Sequence, residues 1–233
     1  MAARKRAKKR AVVLASGGMD SCVTAALASA THEICLLHAS YGQRTEKREK
    51  KAFLAIAKAL GARATLTVSM SHLKSIGGSS LTDSKRRVEV FDATRVATKI
   101  PGTYVPFRNG NLLAIASSWA EVVEADSIWI GAVQQDSSGY PDCRQEFLDA
   151  FEAAINLGTK PDTRMAIRAP LIDMTKAEIV RRAVSIGAPL HLTWSCYTGS
   201  TKACGVCESC GLRLRGFAEA GVVDPIPYER RSR

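Results

Sequence analysis

Residues 12–21 read V-V-L-A-S-G-G-M-D-S, a short apolar run that enters a glycine-rich turn and then a helix-forming stretch. Paired glycines permit a tight bend, so backbone amides near Ser16 to Ser21 and the positive end of the following helix converge on an anion. Phosphate is the natural guest. A kinase-type phosphate loop would close with Gly-Lys-Ser/Thr, its lysine reaching the terminal phosphates, and this chain has no lysine there. A purely structural Gly-Gly turn is the alternative, but Ser16, Asp20 and Ser21 flank the glycines in the strand-to-helix setting that nucleotide loops use.

A second constellation is Cys196, Cys204, Cys207 and Cys210, spaced C-x7-C-x2-C-x2-C, while Cys22, Cys35 and Cys143 are scattered. Four thiolates close a tetrahedral shell around zinc, and the turns at Gly205 and Gly211 suit a metal knuckle. A complete four-cysteine shell leaves no open position, so the expected Zn2+ is structural. A redox Cys-x2-Cys pair would leave two cysteines unexplained.

The third is G-A-V-Q-Q-D-S-S-G-Y-P-D-C-R at 131–144, which follows an expected strand end. Asp136 and Asp142 offer carboxylates, Tyr140 a flat face and Arg144 a cation, a set complementary to a planar heterocycle with N–H donors and an anionic substituent. A polar surface loop fits the same residues.

Strand and helix signals alternate along the first half, which predicts a parallel sheet covered on both faces. Expected strands are 11–15, 33–39, 64–68, 127–132 and, less marked, 165–169, their continuous apolar character suiting buried central positions. A helix over 46–60 puts Phe53, Ile56, Ala57 and Leu60 on one face, and Leu112, Ile115, Trp119 and Val122 repeat the pattern. Thr175-x-x-Glu178 reads as a capping box before Ile179, Ala183 and Ile186, with Gly187 as the stop. The long polar stretch 71–109 reads as a functional loop or lid.

The chain has 233 residues, 46% of them hydrophobic, enough for one domain with a full core. Its net charge of +11 is concentrated at the ends: Arg4, Lys5, Arg6, Lys8, Lys9 and Arg10, then Arg230, Arg231 and Arg233. Setting those nine aside leaves 24 basic against 22 acidic residues, a body of +2. Such tails are solvated ends that aid solubility, or hold RNA without specificity. No apolar run approaches the about 18 residues of a membrane span, and a cytoplasmic location is expected. The expected organisation is a disordered basic tail at 1–10, an α/β domain at 11–192, a cysteine-stapled extension at 193–225 and a basic tail at 226–233.

Several segments together resemble the QueC family of 7-cyano-7-deazaguanine synthases from Val12 to about Pro225: SGGMDS at 16–21, YGQR at 41–44, SGYPDCR at 138–144, APLIDMTKAEI at 169–179 and TWSCY…ACGVCESC at 193–210. The loop by itself is similar to the SGGxDS loop of ATP pyrophosphatases, which adenylate a substrate oxygen. The resemblance implies an adenine-nucleotide alpha-hydrolase-like, Rossmann-like fold, a structural zinc on the four clustered cysteines, ATP with Mg2+, and commonly a homodimer. It implies ATP contacts at Leu14, Ala15, Ser16, Gly17, Gly18, Met19, Asp20, Ser21, Cys22, Val23 and Thr24, with Ser16, Asp20 and Ser21 closest to the chemistry. Substrate contacts are expected at Tyr41, Arg44, Arg108, Asp136, Tyr140, Asp142 and Arg144. The chain departs from the family at Ser40 and Thr45, where D-Y-G-Q-R-H is usual, and at Phe107, where glycine is typical.

The implied reaction turns the carboxylate of 7-carboxy-7-deazaguanine into a nitrile with ammonia and ATP through an acyl adenylate and an amide. No stable nucleic-acid partner is expected. The rival readings are a tRNA-base-modifying relative, a QueC-like enzyme passing the activated deazapurine to another acceptor, and a non-catalytic zinc-knuckle RNA binder.

Overall fold

The computed structural model of the chain describes residues 8–92, 100–134 and 139–229. Among these, β1 (Arg10–Leu14), β2 (Glu33–Ser40), β3 (Ala64–Ser69), β4 (Ala125–Trp129) and β5 (Ala166–Arg168) form a parallel sheet in the order β3-β2-β1-β4-β5. The helices are α1 (Met19–Thr31), α2 (Glu46–Ala59), α3 (His72–Ile76), α4 (Arg108–Val122), α5 (Gln145–Gly158), α6 (Lys176–Ser185) and α7 (Glu208–Ala220).

Side chains alternate across β1, and each face finds its own helices. Val12 and Leu14 pack with Leu113 and Ala116 of α4, whereas Val13 and Ala15 pack with Ala25 and Ala28 of α1 and Phe53 and Ala57 of α2. A third cluster joins Val23 of α1 to Ile179 and Val180 of α6 and Phe217 of α7. Strand order reverses at β1, with β2 on one side and β4 on the other, so a crevice opens at the carboxyl ends of β1 and β4.

Two glycines permit that crevice. Gly17 holds φ +91°, and a Cβ there would stand 2.6 Å from the Glu49 carbonyl oxygen. Gly131, just past β4, lies so close to the first turn of α1 that a Cβ would meet the Asp20 carbonyl carbon at 2.9 Å.

The expected strands and the capping box are present. The Thr175 side chain accepts from the Glu178 amide, and the Glu178 carboxylate accepts from the Thr175 amide at 2.8 Å. Two expectations need correction. β3 is an edge strand with alternating half-buried and exposed residues, because only β2 flanks it. The buried face of α4 is not Leu112, Ile115, Trp119 and Val122 but Asn109, Gly110, Leu113, Ala116, Ser117 and Ala120, and Val122 is exposed. Small residues let this helix approach the sheet closely, and the larger ones flank the contact.

The tail boundaries also shift. Arg10 is the first residue of β1, with Nη1 donating to the Val123 carbonyl at 2.8 Å. Residues 226–229 pack onto the cysteine segment: Ile226 is buried, and the Ala203 amide donates to the Pro227 carbonyl at 2.9 Å. Their anchor is Arg213, buried on α7. Its Nε and Nη2 donate to the two Asp224 oxygens at 2.7 and 2.9 Å, its Nη1 donates to Thr193 Oγ1 at 2.7 Å, and Tyr228 donates to Asp224 at 2.6 Å. Removing one partner of such a pair leaves an uncompensated buried charge. Asp224→Ala is therefore expected to cost about 3–5 kcal/mol in urea unfolding; a midpoint equal to the parent's would show that the pair does not anchor the extension.

Candidate active site

The residues after β1 form a loop already shaped by its own hydrogen bonds. The Gly18 amide donates to Ser16 Oγ at 3.1 Å, Ser21 Oγ donates to the Gly18 carbonyl at 3.1 Å, and the two serine hydroxyls lie 3.1 Å apart. α1 starts at Met19 with Gly18 as its cap, so unpaired amides of the first turn face the crevice mouth. Leu14, Ala15, Ser16, Gly18, Met19, Asp20 and Ser21 line a cavity of about 290 Å³. Gly17, Cys22, Val23 and Thr24 stand behind that wall, and burial pushes the Cys22 thiol up to about 12.

The cation missing from the loop stands opposite it. Lys176, the first residue of α6, places Nζ 2.6 Å from Asp20 Oδ2, and both side chains are largely withdrawn from solvent. The capping box at Thr175 sets the helix start that aims this lysine. Asp20 Oδ1 is buried without a hydrogen-bond partner among the described protein atoms. A buried unpaired carboxylate oxygen is costly, and it is chemically suited to a hydrated divalent cation.

On the far side, Tyr41, Arg44, Arg108 and Tyr140 line the same cavity. Arg108 Nη1 donates to Tyr41 Oη at 3.1 Å. Burial works against the Arg108 charge, but Tyr41 and Tyr140 outweigh it and hold its value above the ordinary one, so Arg108 stays cationic. Arg44 spends its guanidinium on backbone, with Nε donating to the Ser80 carbonyl at 2.9 Å and Nη2 to the carbonyls of Asp83 and Arg86. It thereby pins the 78–86 stretch of the long loop beside the cavity.

Asp142 and Arg144 are placed elsewhere. Asp142 is buried outside the cavity wall, where Oδ2 accepts from the Asn109 amide at 2.8 Å and satisfies the start of α4. Arg144 is exposed as the cap of α5, and Asp136 lies outside the described residues. Cys143 does line the cavity, with its sulfur accepting from Asn109 Nδ2 at 3.2 Å. Burial lifts its thiol to about 11, so it is neutral near pH 7.

Sequence reasoning missed Lys176, Glu49, Tyr197, Glu208 and Arg213 as cavity-lining residues. A signal for Lys176 existed: a phosphate loop without its own lysine needs a cation from another element.

The four clustered cysteines bring their sulfurs within 4.8 Å of one another, which fits a metal ion. Cys196 Sγ accepts from the amides of Thr198, Gly199 and Cys204 at 3.4, 3.0 and 3.3 Å, the contacts that stabilise a thiolate. The cluster is joined to the rest of the site. The Trp194 amide donates to the Gly17 carbonyl at 2.8 Å, and Thr45 Oγ1 donates to the Cys196 carbonyl at 3.2 Å. Among the described residues no helix is long and apolar enough to cross a membrane.

Fold and crevice together define a parallel α/β protein whose glycine-rich turn after the first strand opens onto a cavity at the sheet's switch point. The chain belongs to the family described as Queuosine biosynthesis protein QueC, whose model matches residues 10–221. It is 53% identical over 223 residues to 7-cyano-7-deazaguanine synthase of Chlorobium phaeobacteroides, covering 95% of this chain and 98% of that protein. Identity to 7-cyano-7-deazaguanine synthase of Acidobacterium capsulatum is 53% over 226 residues, covering 96% and 98%. Among solved structures, U34-tRNA thiolase NcsA from Methanococcus maripaludis is similar with a TM-score of 0.47 and 13% identity, over 79% of this chain and 59% of that one, too distant to bear on function.

The placement of Asp142 has a measurable consequence. Burial raises its folded-state value above that of an exposed carboxylate, so ionising it disfavours folding as pH rises through that window. Asp142→Asn keeps an acceptor for Asn109 without the buried charge and is expected to have a urea midpoint at pH 7 no lower than the parent's, whereas Asp142→Ala loses about 1–2 kcal/mol. Equal losses in both variants would contradict the capping role.

Proposed function

We propose that this protein converts 7-carboxy-7-deazaguanine and ammonia to 7-cyano-7-deazaguanine, releasing AMP and pyrophosphate. Family membership supports the overall reaction, and the single observation that carries the chemistry is Lys176 beside Asp20 over a lysine-free glycine loop. Carboxylate is a poor electrophile because its leaving group would be oxide. Its oxygen therefore attacks the α-phosphorus of ATP, the bond to pyrophosphate breaks, and AMP becomes the leaving group. Ammonia adds to the acyl carbon and expels AMP, giving the amide after loss of a proton. A second ATP then adenylates the amide oxygen, and departure of AMP with loss of the N–H protons leaves the nitrile.

Every step is a displacement or the elimination of AMP, so positioning and charge stabilisation suffice. In this reading the loop amides, Ser16 and Ser21 hold the pyrophosphate, and Lys176 offsets charge as it separates. Asp20 Oδ1 would hold the hydration shell of a Mg2+ bound with ATP, which would supply charge neutralisation of the phosphates. Tyr140 stacks on the deazapurine, and Arg108 faces its carboxylate. Zinc is the ion assigned to the four cysteines, because sulfur donors in a tetrahedral set favour it and leave no open position. The family resemblance extends the same reading to a cytoplasmic homodimer with no stable nucleic-acid partner.

With Mg-ATP, ammonium and the purine carboxylate, AMP and pyrophosphate are the expected products; ADP and phosphate would overturn the assignment. Lys176→Met is expected to lower turnover roughly 10- to 100-fold, the size of a charge-assisted contact. Unchanged turnover in that variant would remove the lysine from the chemistry. Metal analysis should give one zinc per chain. Structural zinc contributes on the order of 10 kcal/mol to local folding, so Cys207→Ser should lose zinc and thermal stability together. A Cys207→Ser protein as stable as the parent would argue against a structural site.

A further inference from the structure

We infer that Glu208 is the specificity-determining acid of the purine half of the site, accepting hydrogen bonds from the ring N–H and exocyclic amine of a 2-amino-6-oxo-deazapurine. The inference rests on the substrate class proposed above. Glu208 is the first residue of α7, directly after Cys207, and it lines the cavity that the phosphate loop also lines. Thr103 Oγ1 donates to its Oε2 at 3.2 Å and lies 2.8 Å from Tyr140 Oη. One threonine thus ties the carboxylate to the aromatic ring offered for stacking.

The other acids of the cavity wall, Asp20 in α1 and Glu49 in α2, follow the carboxyl ends of β1 and β2. Asp20 is held by Lys176, and Glu49 accepts from Thr45 Oγ1 at 2.7 Å and Gln43 Nε2 at 3.0 Å beside the YGQR turn. Asp142 is buried outside the wall. Glu208 lines the cavity with Tyr140, Tyr197 and Arg108, and the buried Tyr197 hydroxyl feels the charges of both Glu208 and Arg108. A guanine-type edge presents two parallel donors, and a carboxylate offers two matching acceptors, a pairing stronger than neutral hydrogen bonds.

The test compares the parent, Glu208→Gln and Thr103→Val by calorimetric titration with 7-carboxy-7-deazaguanine and with its analogue lacking the 2-amino group, alongside KM and kcat for purine and ATP. Zinc content and thermal midpoint verify that each variant is folded. The parent is expected to bind the amino-bearing ligand at least tenfold more tightly than the analogue. In Glu208→Gln the purine Kd and KM should rise roughly 10- to 100-fold, discrimination should fall to within about threefold, and the ATP KM should stay put. Thr103→Val should raise the purine KM a few-fold through misplacement of the acid. Unchanged purine affinity and discrimination in a folded Glu208→Gln protein would overturn the inference. A parent that binds the purine with this discrimination yet forms no AMP would instead overturn the proposed reaction and leave the role of Glu208 standing.

Discussion

Lys176 and Asp20 meet at 2.6 Å across 156 residues of chain, and the rest of the site is arranged around that contact. Asp20 belongs to the first turn of α1, whose entry depends on Gly17 at φ +91° and on the absence of a side chain at Gly131. Lys176 belongs to α6, whose start is fixed by the Thr175 capping box. Packing of Val23 against Ile179 and Val180 holds the two helices together. The result is a cation over a loop of amides, each group carried by a rigid element, and in the reaction proposed above this preorganisation is what stabilises charge separating from an α-phosphorus.

The other half of the crevice hangs on the C-terminal extension. The four cysteines gather their sulfurs within 4.8 Å of one another in the 196–210 segment, and α7 leaves it carrying Glu208 and Arg213. Trp194 rests on the phosphate loop through the Gly17 carbonyl, with Arg48 stacked 4.2 Å above its ring. Thr45 shows how one family departure is absorbed: its hydroxyl bridges Glu49 and the Cys196 carbonyl, so the turn after β2 still reaches the knuckle. Phe107 is another, and it comes at a local cost. It adopts φ +53°, a region that favours glycine, and its ring lies over Gly110 and against Phe147.

Patterns that depend on near neighbours in the chain are legible in the sequence alone. The parallel sheet follows from apolar runs separated by helical periodicity, the capping box from a four-residue signature, and the metal cluster from cysteine spacing. Features that depend on distant partners are not. Periodicity misplaces the face of α4, because hydrophobic size marks a stripe whereas close approach to the sheet selects small residues such as Ala116 and Ala120. Asp142 reads as a ligand-facing acid, yet its partner is an amide 33 residues earlier. Lys176 is visible only as part of a helix start, and Glu208 is overshadowed by the cysteines on either side of it.

The central claim is that the substrate's own oxygen attacks ATP and leaves with AMP. It is tested most directly with substrate carrying 18O in both carboxylate positions. Mass spectrometry of the products should find one 18O in each AMP formed in the two rounds and none in pyrophosphate. Unlabelled AMP, or label released into water or phosphate, would contradict adenylation of the substrate and with it the role assigned to the loop and Lys176.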